Sequence, residues 1–399
     1  MELIGKIREA ISEEETINVI KKLVSIPSYP GVENQESNVA EYISNFFIYE
    51  GIKAEIVPVV DGRNNVIARL KGKGNGKTLL LTGHMDTVPP YDMPENPFEI
   101  KTIGDRMYGR GVVDMKGPLG CMMMAMATIK RLGIELAGDV IFAGVIDEED
   151  KSEGTRALLK KGIAADGAII GEPTEMEICV GHRGLEWFEF AFHGKTVHGG
   201  KQKEGINAIT KAMKFIEKVE SELIPKIESR KHPIIGNSCM NYGYIEGGTQ
   251  PSTVAGECKL QIDRRWIPGE KFQDIVSEYQ QVIDELQTED PQFNASFRVM
   301  EVSRMEDGYI HEAMEVDVGH PIVKASEDAI FKVTGESARI KSFTAWSDGG
   351  LINTYGKIPT IVLGPGNLES AHSASEYLEI GQVVKATAIY AEIAMKFCS

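Results

Sequence analysis

The chain has few cysteines, five in all, and they are scattered (Cys121, Cys179, Cys239, Cys258, Cys398). No two stand at metal-site spacing, and an odd, dispersed set gives no disulfide framework. A reducing, cytoplasmic setting is expected. Long apolar runs are missing: none approaches the ~20 residues that cross a bilayer. The opening stretch, MELIGKIREAISEEETINVIKKL, has the pattern of a charged amphipathic helix and not that of a signal peptide. Positive charge is in deficit, with 43 basic against 59 acidic residues and a net charge of -16. That balance disfavours nucleic acid and anionic membrane as partners. Internal repeats and low-complexity tracts are absent. What remains is 42% hydrophobic and 26% charged over 399 residues, a globular composition at a length that suits two domains.

The segment 12–24 reads as a capped helix and 36–50 as a second. Short β-like runs follow over 54–60, 65–70 and 78–82, each bounded by turn residues. A helix expected over 117–132 carries CMMMAMATI, a stretch apolar enough to lie against a sheet. The runs 139–145 and 167–170 are nearly continuous apolar strands. Buried strands alternating with helices indicate an α/β domain with a largely parallel central sheet. The character changes near Cys179. An alternating, aromatic-rich run over 185–192 leads to a long helix expected from 207 to 227. Strands over 238–245 and 256–264, a helix over 270–286 and a strand over 294–302 follow. That order, β-α-β-β-α-β, is the split βαβ arrangement. After Asp307 the α/β pattern returns, with a helix over 321–333, a strand over 358–363 and a helix over 380–396. The expected organisation is a discontinuous first domain, 1–180 with 307–399, and a second domain, 181–306, inserted into it.

Five clusters carry candidate chemistry. In LLLTGHMDTVP a strand runs into His84, and Asp86 two residues on can reach the second ring nitrogen of His84 in extended chain. The ordinary alternative is a surface turn. In YGRGVVDMKGP, Asp114 precedes a helix, where it could bridge two cations or merely cap the helix. In VIFAGVIDEED an apolar strand ends in four acids, which repel one another unless cations compensate them. There Glu148 and Glu149 would face opposite ways, one for metal and one for protons; a solvated acidic loop is the alternative. AIIGEPTE again ends a strand in a carboxylate, Glu172. IVLGPGNLESAHSASEY brings His372 after a Gly-Pro-Gly turn. Singly each signal is weak. Together His84, Asp114, Glu149 and Glu172 gather at strand ends or in the loops beyond, the edge where open α/β sheets bind ligands. Two histidines and three carboxylates suit two divalent ions sharing one bridging carboxylate.

The ordered set GHMDTVP, GRGVVDMKG, DEE, GEPT and GPG…AHSASE resembles the M20 metallopeptidase and deacylase family, which includes acetylornithine deacetylase, succinyl-diaminopimelate desuccinylase, carboxypeptidase G2 and aminoacylase-1. The resemblance spans nearly the whole chain. It implies a zinc-exopeptidase-like catalytic domain with a central mixed, largely parallel sheet, and an inserted ferredoxin-like lid and dimerisation domain. It also implies two divalent metal ions, zinc first, with cobalt or manganese as alternatives. His84 and Glu172 would hold one ion, Glu149 and His372 the other, and Asp114 would bridge them beside a cis peptide to Met115. Asp86 would orient His84. Glu148 would be the general base, taking a proton from the water between the cations and passing it to the leaving amine. In FHGKTVHGG, His198 matches the lid histidine that in dimeric members reaches the partner subunit's active site and stabilises the oxyanion. In IDRR, Arg265 stands where a guanidinium binds the substrate carboxylate.

The chain departs from the family in EGGTQPSTVAG. Ser252 stands where Asn is usual and Ala255 replaces a Pro, which puts the substrate-binding task of Ser252 in doubt. Asp348 in WSDGG and His182 in GHRG are further candidates. His193, His232, His311 and His320 have no motif around them. The implied activity is hydrolysis of the amide of a small N-acyl amino acid, of the acetylornithine deacetylase or succinyl-diaminopimelate desuccinylase type. A dipeptidase, tripeptidase or carboxypeptidase of the same family is the alternative. A non-catalytic amino-acid-binding relative is a third reading, opposed by the retention of all five ligands and the base. A homodimer formed through the lid is expected.

Overall fold

The charged opening forms two helices, Glu2–Ala10 and Glu13–Val24. Ser12 restarts the helix, its hydroxyl accepting the Glu15 N–H at 3.2 Å. The computed structural model describes residues 2–399. It divides into two compact units, Met1–His182 with Met314–Ser399, and Arg183–Ala313. The sequence places the return to the first unit at 307. The second unit extends to Ala313 because the returning segment bridges its own first strand, Leu185 with His311.

The first unit is built on an eight-stranded mixed sheet. Its order is Lys53–Val60, Arg63–Leu70, Val140–Val145, Leu79–His84, Gly167–Ile170, Thr360–Val362, Ile178–Cys179, Ile340–Lys341. The four strands from Val140–Val145 to Thr360–Val362 are mutually parallel, and an antiparallel hairpin borders them at one end. Every residue of Leu79–His84, Val140–Val145 and Gly167–Ile170 is buried. Strands covered on both faces have no solvent side, which is why they read as unbroken apolar runs. The helix Lys116–Arg131 packs on the strand Leu79–His84 and against the helices Glu13–Val24 and Ile380–Phe397. Its residues 116–129 are all buried, the methionine run included. A three-stranded sheet, Tyr377–Glu379, Arg106–Tyr108, Lys101–Ile103, joins segments far apart in sequence. No described helix is long and apolar enough to cross a membrane.

The second unit has an antiparallel sheet in the order Cys239–Gly247, Glu257–Trp266, Gly184–His193, Ala295–Val299. Phe188, Phe190 and Phe192 point to one face and pack with Phe215, Trp266 and Tyr279. The β-α-β-β-α-β order holds, but the helix expected from 207 to 227 is not continuous. It runs Ala208–Lys218, passes through a π turn over Val219–Leu223 and resumes as Ile224–Ser229. Pro225 has no N–H to offer the preceding turn, so regular bonding cannot pass through it.

Candidate metal centre

His84 is the last residue of the strand Leu79–His84, and Glu172 follows the neighbouring strand Gly167–Ile170. Parallel pairing of these strands brings the two side chains together, with Nε2 of His84 3.4 Å from Oε1 of Glu172. Asp114 stands just before the helix Lys116–Arg131, joined to Met115 by a cis peptide. It does not cap that helix: Met115 is the N-cap residue and no side chain serves the cap. Asp114 instead lies between two histidines. Its Oδ1 is 2.9 Å from His84 Nε2, and its Oδ2 is 3.0 Å from His372 Nε2. The same nitrogen of His372 is 3.0 Å from Oε1 of Glu149. Two triads result, His84–Asp114–Glu172 and Asp114–Glu149–His372, each with ligand atoms within 4.8 Å of one another. Asp114 belongs to both.

Asp86 departs from expectation. Nδ1 of His84 faces the Asp86 carbonyl oxygen at 3.0 Å, while the carboxylate stands 3.6 Å away. That carboxylate accepts the N–H groups of Glu148 (3.3 Å) and Glu149 (3.0 Å) instead. Two amide donors in a half-buried turn claim it, and the backbone carbonyl orients the ring. The strand-like alternation expected for Glu148 and Glu149 is also absent. The strand ends at Val145, and Asp147 takes a left-handed conformation (φ 69°) that turns the acidic stretch back on itself. Arg63 pairs with Asp147 at 2.8 Å and with buried Glu36, tying this turn to the hairpin.

The cluster is rich in negative charge, and His84, Asp86, Asp114 and Glu172 are buried. Burial pushes the Glu172 carboxyl up to about 7, and the neighbouring Asp114 charge adds to it. Burial likewise pushes Asp86 up to about 8. It lifts Glu148 well above the carboxylate range, with Glu172 and Asp348 adding and His84 offsetting. Asp114 goes the other way: burial opposes its charge, yet hydrogen bonds with His372 and His84 hold it well below the usual range. Those bonds to Asp114 and Glu149 push His372 up to about 10. Burial works against a charged His84, but Glu172 and Asp114 outweigh it and hold the ring well above its ordinary value. Oε1 of Glu172 is buried and makes no regular hydrogen bond, with the His84 ring 3.4 Å away. A buried carboxylate oxygen left so is costly unless a cation meets it. Imidazole and carboxylate donors at this spacing fit two divalent ions of the zinc, cobalt or manganese kind.

Asp348 lies in the same unit and is buried. Its Oδ2 accepts the Thr155 hydroxyl at 2.6 Å, Oδ1 has no hydrogen-bond partner, and burial raises its pKa. His182 is buried edge-on against Trp346. The remaining candidates belong to the second unit. His198 is exposed; its Nδ1 accepts the Gly200 N–H at 3.1 Å. Ser252 holds the same loop, its carbonyl accepting the Gly199 N–H at 2.7 Å. Arg265 pairs with Asp263 at 2.9 Å along its strand. Sequence reasoning gives no task to Arg110, Glu376 or Thr155. Arg110 and Glu376 are fully buried charges inside YGRGVVD and AHSASE, and a charged residue four positions from a candidate ligand is the signal they offer.

The model of peptidase family M20/M25/M40 matches residues 80–396. N-formyl-4-amino-5-aminomethyl-2-methylpyrimidine deformylase of Halalkalibacterium halodurans is 31% identical over 408 residues, covering 97% of this chain and 95% of that protein. Acetylornithine deacetylase of Proteus mirabilis is 28% identical over 398 residues, covering 96% of each. The crystal structure of aminopeptidase PepT from Bacillus cereus superposes with a TM-score of 0.80 at 23% identity, over 98% of this chain and 100% of that one, a likeness of fold. The chain belongs to the M20/M25/M40 peptidase family and is a metal-dependent hydrolase of carbon–nitrogen amide bonds.

Proposed function

We propose that the chain removes the acyl group from a small N-acyl amine, releasing a carboxylate and a free amine. The observation that carries this reading is the pair of triads sharing Asp114. His84 and Glu172 would hold one divalent ion, Glu149 and His372 the other, and Asp114 would serve both, with zinc, cobalt or manganese as the ions. When bound, such a pair lowers the pKa of water and polarises an acyl oxygen. Glu148 takes the proton of the attacking water and delivers it to the departing nitrogen. Asp86 fixes where Glu148 stands by holding its amide.

His198 is the oxyanion donor in this proposal, supplied by a partner subunit across a lid-mediated dimer. Because Nδ1 accepts from Gly200, the neutral ring carries its proton on Nε2 and donates there. Arg265 and Ser252 serve substrate binding, and Asp348 borders the pocket. The relatives at 31% and 28% identity are named for removing formyl and acetyl groups, which favours a deacylase. A substrate panel tests this: N-acetylornithine, N-succinyl-diaminopimelate, an N-formylaminomethylpyrimidine, dipeptides and tripeptides, each with metal-loaded protein. Turnover of one or more N-acyl amines is expected. Cleavage confined to the peptides would overturn the deacylase reading and leave a peptidase.

A further inference from the structure

Arg110 and Glu376 form an ion pair at 2.5 Å, with 1% and 0% of their surfaces exposed. Neither belongs to the triads, yet each touches a loop that carries a ligand. Oε1 of Glu376 accepts the N–H groups of Val113 (2.9 Å) and Asp114 (3.2 Å), and Oε2 accepts that of Gly111 (3.1 Å). The second terminal nitrogen of Arg110 donates to the carbonyl of Ser373, next to His372, at 3.3 Å. The Gly109 N–H donates to Glu376's own carbonyl at 3.3 Å. Both residues sit just beyond the antiparallel pairing of Tyr377–Glu379 with Arg106–Tyr108. The small sheet aligns the two loops, and the ion pair fastens them.

The two triads depend on this fastening unequally. His84 and Glu172 are set by adjacent strands of the main sheet, so two of three ligands in the first triad have a rigid base. In the second triad Glu149 and His372 both stand on loops. His372 has a left-handed backbone (φ 58°) and a half-exposed side chain. Its distance to Asp114 follows from how the loop 371–376 is held to the loop 109–114. A carboxylate with both oxygens engaged by amides and a guanidinium fork keeps that distance fixed.

We propose that Arg110 and Glu376 are positioning residues that set the His372–Asp114 spacing, and through it the affinity of the second cation site ahead of the first. This inference rests on the metal assignment made under the proposed function. Glu376→Gln removes the charge and puts an amide donor against Arg110. Arg110→Lys keeps the charge but replaces two separated nitrogens, one on Glu376 and one on the Ser373 carbonyl, by a single one on a shorter side chain, which loosens the link.

The test is titration of chelator-stripped protein with cobalt(II), followed by visible absorption and by metal content after desalting. The wild-type chain is expected to take up two ions in two steps. In both variants the first step stays near the wild-type value and the second weakens about 10–100-fold. Where Glu376→Gln does not yield folded protein, Arg110→Lys decides. Unchanged second-site affinity, or an equal loss at both sites in a variant that keeps its fold, overturns the positioning role. Uptake of fewer than two ions by the wild-type chain overturns the metal assignment instead, and the two failures are read from different samples.

Discussion

Glu148 and Glu149 are adjacent and chemically alike, and the turn they share gives them different surroundings. Glu149 meets His372 and belongs to a triad, whereas Glu148 belongs to neither triad and burial lifts its proton affinity. Glu148→Gln keeps the shape and loses the base. Metal content is expected to stay at the wild-type value while kcat falls by about 10²–10⁴, the usual worth of a general base. Unchanged kcat at full metal loading would remove Glu148 from the mechanism. The residue types at the centre were legible because each sits in a chemistry-bearing motif, at a strand end or in a loop beyond one. What Asp86 bonds was not legible. Extended geometry puts its carboxylate near the His84 ring, but the chain beyond Val145 turns and offers two half-buried amides, and amides drawn away from water take an acceptor. Periodicity describes straight segments and says nothing of where a turn aims its N–H groups.

At the scale of elements, the buried parallel strands and the capped helix at Ser12 follow from local pattern. The three-stranded sheet Tyr377–Glu379, Arg106–Tyr108, Lys101–Ile103 does not. Its strands are three residues each, and Tyr377–Glu379 joins the hairpin of the other two from a distant part of the chain, so no local period marks them. Yet this sheet aligns the loops of Asp114 and His372. The helix Lys116–Arg131 enters the same region through Gly117. A Cβ at that position would stand 2.1 Å from the Val112 carbonyl oxygen and 2.7 Å from Leu378. The first neighbour is backbone and lies in the turn that presents Asp114, so it cannot yield without moving the ligand. Gly117→Ala is expected to cost on the order of 3 kcal/mol in urea unfolding, at the upper end for overpacking, and to weaken metal binding as well. Wild-type stability in that variant would show that the turn can shift freely. Ser12→Ala, far from the centre, should cost only about 1 kcal/mol and leave metal binding untouched.

For the whole molecule the acidic cluster makes stability depend on pH in a direction the metal should reverse. Without bound ions, Glu172 and Asp86 have values near 7 and 8, above the ordinary carboxylate value of about 4. Raised groups stabilise the fold fully below their unfolded values and lose that contribution as pH rises through the folded ones. His372, raised to about 10, adds stability below about 6.5 that is likewise lost on the alkaline side. Asp114 has the opposite sign, but its contribution is lost only as pH falls below the ordinary carboxylate range. The metal-free protein should therefore melt at progressively lower temperature between about pH 5 and pH 8. Divalent ions need their ligands deprotonated and stabilise only the folded chain, so the melting gap between loaded and stripped protein should widen over the same range. The net charge of -16 would slope the stripped curve the same way through general repulsion. Glu172→Gln separates the two causes: it changes the net charge by a single unit but deletes a titrating group with a large shift. A clearly flatter slope in that stripped variant assigns the effect to the cluster. An unchanged slope assigns it to overall charge, and a melting temperature that rises with pH in stripped wild-type protein contradicts both.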